Sequence, residues 1–195
     1  MKTFISAVAL AVMMPVVAFA AETAQVGKPA PAFTLKDESG KEHSLAQYKG
    51  KIVVLEWTNS DCPFVQRHYT ANTMQKTLAG FDAKKVVWLA VDSTASHTPD
   101  KVAAWKKEKG FTYPVLQDAS GTVGKSYGAK TTPHMYVIDE QGVVRYAGAI
   151  DDDPRGNKKE GTTNYVKTAV DALLSGKPVP TSSSEPYGCS VKYKS

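Results

Sequence analysis

Lys51-Ile52-Val53-Val54-Leu55-Glu56-Trp57-Thr58-Asn59-Ser60-Asp61-Cys62-Pro63 is the stretch on which the reading of the fold turns. Ile52 to Leu55 is a short unbroken apolar run, the pattern of a parallel strand buried on both faces. A polar turn follows and ends on a cysteine and a proline. Proline suits the first position of a helix, because the N–H it lacks would have no partner there. A strand that runs into such a helix puts the Cys62 sulfur at the helix mouth. Free N–H groups and the helix dipole there favour thiolate, the nucleophilic form, over thiol. Cys62 is therefore expected to be exposed and reactive. Asp61 would oppose ionisation if it stayed charged beside the sulfur.

Working outward, Phe33-Thr34-Leu35 and His43-Ser44-Leu45 flank a turn-forming Asp37-Glu38-Ser39-Gly40-Lys41 and predict an N-terminal β-hairpin. A helix is predicted from Pro63 to Leu78, and a second buried strand over Val86 to Val91. A polar loop should then lead to a helix from Pro99 to Lys109, stopped by Gly110. Tyr113 to Leu116 reads as a short strand and Val123 to Tyr127 as a short helix. Met135 to Ile138 and Val143 to Ala149 form a hairpin around Asp139-Glu140-Gln141-Gly142. The last helix is expected over Thr162 to Leu174, with Gly176 as its stop. Right-handed crossovers put the first two buried strands in parallel, and the hairpin adds antiparallel ones. The fold class is thus α/β, with three α/β/α layers around a central mixed sheet.

Residues 1–20 read as a secretory signal peptide: Lys2 in front, an apolar Phe4 to Val17, and an Ala18-Phe19-Ala20 cleavage site. The formal charge of +5 includes Lys2, so +4 remains after cleavage. Residues 21–177 form one domain, and 178–195 a Pro- and Ser-rich extended tail that carries Cys189. Export to the periplasm or the outside would place Cys62 and Cys189, the two cysteines of the chain, where disulfides persist. The basic clusters at Lys106-Lys107-Glu108-Lys109 and Arg155 to Lys159 lie against acids, including Asp151-Asp152-Asp153. Mixed signs argue for solvated surface and against nucleic acid. Beyond the leader, no segment is long and apolar enough for stable membrane insertion.

Three stretches in order resemble the thioredoxin-like superfamily, in the redoxin branch of thiol-specific antioxidant (AhpC/TSA) and exported TlpA-type proteins. They are Gly27-Lys28-Pro29-Ala30-Pro31-Ala32-Phe33-Thr34-Leu35 with Tyr48-Lys49-Gly50-Lys51, Val53 to Pro63, and Thr131-Thr132-Pro133-His134-Met135-Tyr136-Val137-Ile138-Asp139. The resemblance implies a cis Thr132-Pro133 bond beside Cys62 and Pro63, with the Thr132 backbone binding an extended substrate strand. It also implies that Glu56 is a buried acid relaying protons beneath the cysteine. The reading from residues alone leaves Glu56 either in that role or wet at the strand end, paired with a lysine.

Two family patterns are broken. Val65 stands where the second cysteine of C-x-x-C belongs. Asn59 occupies the peroxiredoxin threonine position, with Thr58 one step earlier, and Pro133 occupies the arginine position. Arg67 or Arg145 would have to substitute for that arginine. Cys189 is a candidate resolving cysteine delivered by the tail, or else half of a static bridge. The leading expectation is a thiol–disulfide oxidoreductase acting on protein or small-molecule thiols and disulfides, with Cys62, Cys189 and Glu56 as catalytic residues. Thr132, Pro133 and Pro63 would bind substrate, and no cofactor is expected. The alternatives are a thiol peroxidase, and a copper or zinc carrier using Cys62, Cys189 and His134 or His68.

Overall fold

The computed structural model describes residues 23–158 and 160–194; the leader predicted over residues 1–20 lies outside them. In chain order the elements are β1 (Thr34–Lys36), β2 (Glu42–Ser44), a 3-10 turn at Leu45–Tyr48, β3 (Ile52–Trp57), α1 (Pro63–Thr70), α2 (Thr73–Ala79), β4 (Val86–Asp92), α3 (Pro99–Lys109), β5 (Val115–Gln117), α4 (Thr122–Tyr127), β6 (Thr131–Thr132), β7 (His134–Ile138), β8 (Val144–Gly148), α5 (Tyr165–Leu174) and β9 (Cys189–Ser190). The central sheet runs β5-β4-β3-β7-β8. Its first three strands are parallel, and β7 and β8 add antiparallel. This is the mixed α/β sheet the sequence predicts, with the β1–β2 hairpin beside it.

All six residues of β3 are buried, which is why it reads as an unbroken apolar run. Its side chains alternate between two cores. Ile52 and Val54 join α1, α2, α3 and α5 through Val65, Tyr69, Met74, Trp105 and Val170. Val53, Leu55 and Trp57 join the hairpin side through Phe33, Tyr127 and Tyr136. The chain advances from β3 to β4 to β5 in one direction, so right-handed crossovers put α1, α2 and α3 on the same face. The return to β7 passes through α4 on the other.

The structure corrects the sequence at several points. The helix predicted from Pro63 to Leu78 is two helices, because Asn72 takes a left-handed conformation (φ 56°) between them. Asparagine tolerates that region better than most residues, and a one-residue break there suffices to end α1. The last helix begins at Tyr165 rather than Thr162, because the Asn164 side chain caps it by accepting from Lys167 N–H at 2.8 Å. Two of the acids read as solvated are buried, Asp151 and Asp153. The Asp153 carboxylate accepts the backbone N–H groups of Asn157 (3.1 Å) and Lys158 (3.1 Å) in a tight turn. The two-residue strands β6 and β9 had no signal of their own, and they pair with each other.

Trp57 ties the second core together. Its ring meets Tyr136 edge-on (5.3 Å between centroids) and Tyr127 at 5.0 Å, and its indole N–H donates to Ser93 Oγ at 3.1 Å. Trp57→Ala empties a packed site and removes the donor to Ser93 Oγ, which keeps its own bond to Asp118. The variant is expected to lose about 3–5 kcal/mol in urea unfolding, with little change in the denaturant slope.

Candidate active site

The turn after β3 is built to present Cys62. The Asn59 side chain accepts from Asp61 N–H at 2.7 Å and donates to Thr94 Oγ1 at 2.9 Å, fixing the loop to the end of β4. Cys62 N–H donates to Asn59 O at 3.0 Å, and Cys62 O accepts from Gln66 N–H at 2.9 Å to begin α1. Cys62 is the N-cap, extended at φ −82° and ψ 122°, and Pro63 opens the helix. The reasoning from Pro63 to a helix mouth therefore holds.

Opposite Cys62 lies the Thr132-Pro133 peptide, which is cis. The Cys62 thiol donates to Thr132 O at 3.0 Å. This brings together Cys62, Pro63, Thr132 and Pro133 as the resemblance implies. The expected exposure of the sulfur is overturned: Cys62 is 2% exposed. The cover is the tail. β9 lies antiparallel to β6, with Cys189 opposite Thr132 and Ser190 opposite Thr131, and Val191 N–H donates to Lys130 O at 3.1 Å. Tyr187 and Cys189 pack on the core that contains Cys62.

The two thiols are free and electrostatically unlike. Burial pushes the Cys62 thiol up. The hydrogen bonds it receives from Cys189 and Thr132, and from the backbone N–H groups of Val65 and Cys189, outweigh burial and hold it below the ordinary thiol value. Val65 N–H belongs to the first turn of α1, so the helix mouth supplies part of the effect. Cys189 is pushed up to about 11 by burial and by its neighbour Cys62. The pair thus divides into a thiolate-prone sulfur and a proton-holding one.

Glu56 is fully buried, on the β3 face that α1 covers. It accepts from Trp88 Nε1–H at 2.8 Å and from Tyr69 Oη–H at 3.1 Å, and Tyr113 Oη–H donates to Tyr69 Oη at 2.9 Å. Burial raises its carboxyl to about 7 against these hydrogen bonds. The wet or lysine-paired alternative is thereby excluded. Asp61 does not crowd the sulfur: its exposed carboxylate takes Lys101 Nζ at 2.6 Å and His97 Nε2 at 3.0 Å. The other His97 nitrogen meets Asp92 at 2.6 Å, and Asp92, chiefly, raises the His97 pKa.

Neither arginine takes the missing position. Arg67 donates to the carbonyls of Pro154 (3.0 Å) and Asp153 (3.1 Å) and packs on Tyr187, while Arg145 pairs with Asp139 at 2.5 Å at the far end of β7. His68 Nε2 lies 3.0 Å from Tyr187 Oη, and His134 accepts from Lys130 N–H at 3.2 Å. Burial lowers both imidazoles to about 4. Among the described residues no group of three or more His, Cys, Asp and Glu is placed to hold a metal ion. Sequence reasoning missed Asp151 and Tyr187, whose hydroxyl donates to the Asp151 carboxylate. The available clue was the turn chemistry of Asp153-Pro154-Arg155-Gly156, which marks an ordered loop.

Known proteins share this architecture. The hypothetical protein SMc02350 of Sinorhizobium meliloti 1021, a solved structure, superposes with a TM-score of 0.77 at 31% identity, over 89% of this chain and 97% of that one. Thiol-disulfide oxidoreductase ResA of Bacillus cereus is 30% identical over 123 residues, 63% of this chain and 69% of that protein. Peroxiredoxin Q of Suaeda salsa is 32% identical over 127 residues, 61% of this chain and 57% of that one. The AhpC/TSA family profile matches residues 26–147, a span that takes in Glu56, Cys62 and Pro133 and stops short of Cys189. That match decides the kinship: the chain belongs to the AhpC/TSA family of the thioredoxin-like superfamily, and its chemistry is thiol oxidoreduction.

Proposed function

We propose that the protein is a thiol–disulfide oxidoreductase in which Cys62 attacks and Cys189 resolves. The observation that carries this reading is the meeting of the two thiols at Thr132, one favouring the thiolate and the other the thiol. The Cys62 thiolate attacks one sulfur of a protein or small-molecule disulfide. That S–S bond breaks, and the departing thiolate takes a proton. Cys189, once deprotonated, attacks the Cys62 sulfur of the mixed disulfide and releases the second substrate thiol. The substrate gains two electrons, and the protein is left with a Cys62–Cys189 disulfide. The reverse sequence oxidises a dithiol.

Thr132 contributes backbone for an extended substrate strand, and Pro133 and Pro63 wall the sulfur without adding competing N–H donors. Glu56, with its carboxyl raised to about 7, suits proton transfer near neutrality, with Tyr69 and Tyr113 linked to it. Disulfide exchange is favoured over peroxide reduction because Arg67 and Arg145 are engaged away from the sulfur, and the Asn59 amide is spent on the loop. The leader read in residues 1–20 supports action in the periplasm or outside the cell, where a protein disulfide is stable.

Mass spectrometry after exposure to a small disulfide tests the cycle. Wild type should pass through a mixed disulfide and end two hydrogens lighter. Cys189→Ser should stop at the adduct, and Cys62→Ser should form neither species. In stopped flow, Cys62 should react with hydrogen peroxide no faster than a free thiol; a much faster reaction would establish the peroxidase instead.

Glu56 gives a pH signature. Its folded value of about 7 lies above the unfolded one, so folding retains a proton between the two. The stability contribution is present below about pH 4.5 and is lost as pH rises to about 7, a decline of about 3 kcal/mol. Urea unfolding across that range should show Glu56→Gln gaining on wild type by roughly that amount, with the gain levelling off above pH 7.

A further inference from the structure

The tail and an incoming substrate need the same backbone edge. We infer that Tyr187 and Gly188 are positioning residues of the resolving step, and that the strand they place competes with the substrate strand for Thr131–Thr132. The inference rests on the exchange reading above and adds its order of events: the tail lifts, the substrate docks, and the returning tail expels it.

Four observations carry it. First, β9 fills the edge completely. Cys189 and Ser190 oppose Thr132 and Thr131, and beneath them Thr132 and Cys62 are each 2% exposed. A second extended strand has no edge to pair with while β9 is in place. Second, Gly188 adopts φ 138°, and a Cβ built there would lie 2.1 Å from Thr132 O and 2.7 Å from Thr132 C. Those atoms are backbone and cannot turn aside. Only glycine lets the tail come this close.

Third, a latch holds the approach. The Tyr187 hydroxyl donates to the Asp151 carboxylate, with His68 Nε2 at 3.0 Å and Arg67 Nη2 at 3.5 Å from the same oxygen. The guanidinium lies 5.7 Å over the Tyr187 ring, and Phe64 packs beside it. Fourth, the tail is anchored separately on either side of the latch. Ser184 bonds Ala147 O (3.2 Å), Ala149 N–H (3.0 Å) and Tyr146 Oη (2.6 Å), and Tyr193 Oη–H donates to Ala129 O at 2.7 Å. The middle of the tail can therefore leave the edge while its ends stay attached. That keeps Cys189 at high effective concentration for its return.

The chemistry balances within this order. With the tail lifted, the Cys62 thiolate loses the Cys189 hydrogen bonds but also its cover, keeps those of Thr132 and the Val65 N–H, and displaces a thiolate from the substrate disulfide, forming one S–S bond and breaking one. When the tail returns, the Cys189 sulfur displaces the remaining substrate thiolate from Cys62, and β9 reoccupies the edge that the leaving strand held. Chemical resolution and product expulsion become one movement.

The test separates the two steps. A short extended peptide whose cysteine carries a thionitrobenzoate disulfide reports the first attack as released chromophore; a fluorophore on the peptide reports its later release. Gly188→Ala cannot seat β9. It should speed the first attack on the order of tenfold, because the competent open state no longer has to be reached, and slow peptide release by a similar factor. Tyr187→Phe should shift both rates the same way by less. Within the Cys189→Ser background, which removes resolution, the variant that keeps Gly188 should attack on the order of tenfold more slowly than Gly188→Ala/Cys189→Ser, in which β9 is unseated. A merely structural role for Gly188 would move both steps in one direction. That result, or an unchanged attack rate, overturns the competition while leaving the role of Cys62 intact. Failure of Cys62 to react in every variant overturns the exchange reading and the inference together.

Discussion

The Cys62 thiol and the Thr132 carbonyl, 3.0 Å apart, join parts of the chain separated by 70 residues. One is the turn leaving β3, and the other is the cis-proline turn entering β7. Both strands are in the middle of the sheet and fully buried, so neither partner can drift without unpacking a core. The same Thr132 backbone then accepts β9. Displacing Thr132 would therefore disturb Cys62, Cys189 and the β6 edge at once.

Charge is arranged around this contact by exclusion as much as by attraction. Asp61, next to the sulfur in sequence, is drawn away by Lys101 and His97. His68 and His134 are held neutral by burial rather than offered as cations. What favours the Cys62 thiolate is short-range hydrogen bonding from S–H, O–H and N–H groups, a local and directional effect. It persists in salt that would screen a distant charge. The acid kept in reserve, Glu56, lies beneath in an aromatic box of Trp88, Tyr69 and Tyr113.

Much of this was readable before the coordinates. The apolar run of β3 and the proline after Cys62 are local signals with local causes, the cis Thr132-Pro133 step is what the family resemblance implies, and each landed where expected. The break at Asn72 escaped because the apolar periodicity runs on through it, and one left-handed residue outweighs the pattern. Burial of the sulfur escaped for a different reason. It depends on β9, two residues long, which forms only through long-range contacts: its pairing with an equally short β6 and the side-chain anchors of the tail on either side. Such a pairing has no periodicity to detect. A glycine beside Cys189 in a Pro- and Ser-rich tail reads from sequence as a source of mobility, whereas in the folded chain Gly188 is a point of closest approach.

The matched family region ends at residue 147, and Cys189 lies beyond it. The two cysteines are thus carried by parts of the chain under different constraints. Cys62 caps α1 on a turn pinned to the end of β4 and buried against the core. Cys189 rides on a strap that crosses the surface and touches the core through a few side chains. Inheritance can remodel the strap by lengthening it, moving its thiol or dropping it, while the central strands keep their packing. Under the proposed exchange cycle, the speed at which the sulfur is regenerated can then diverge between relatives whose cores superpose closely.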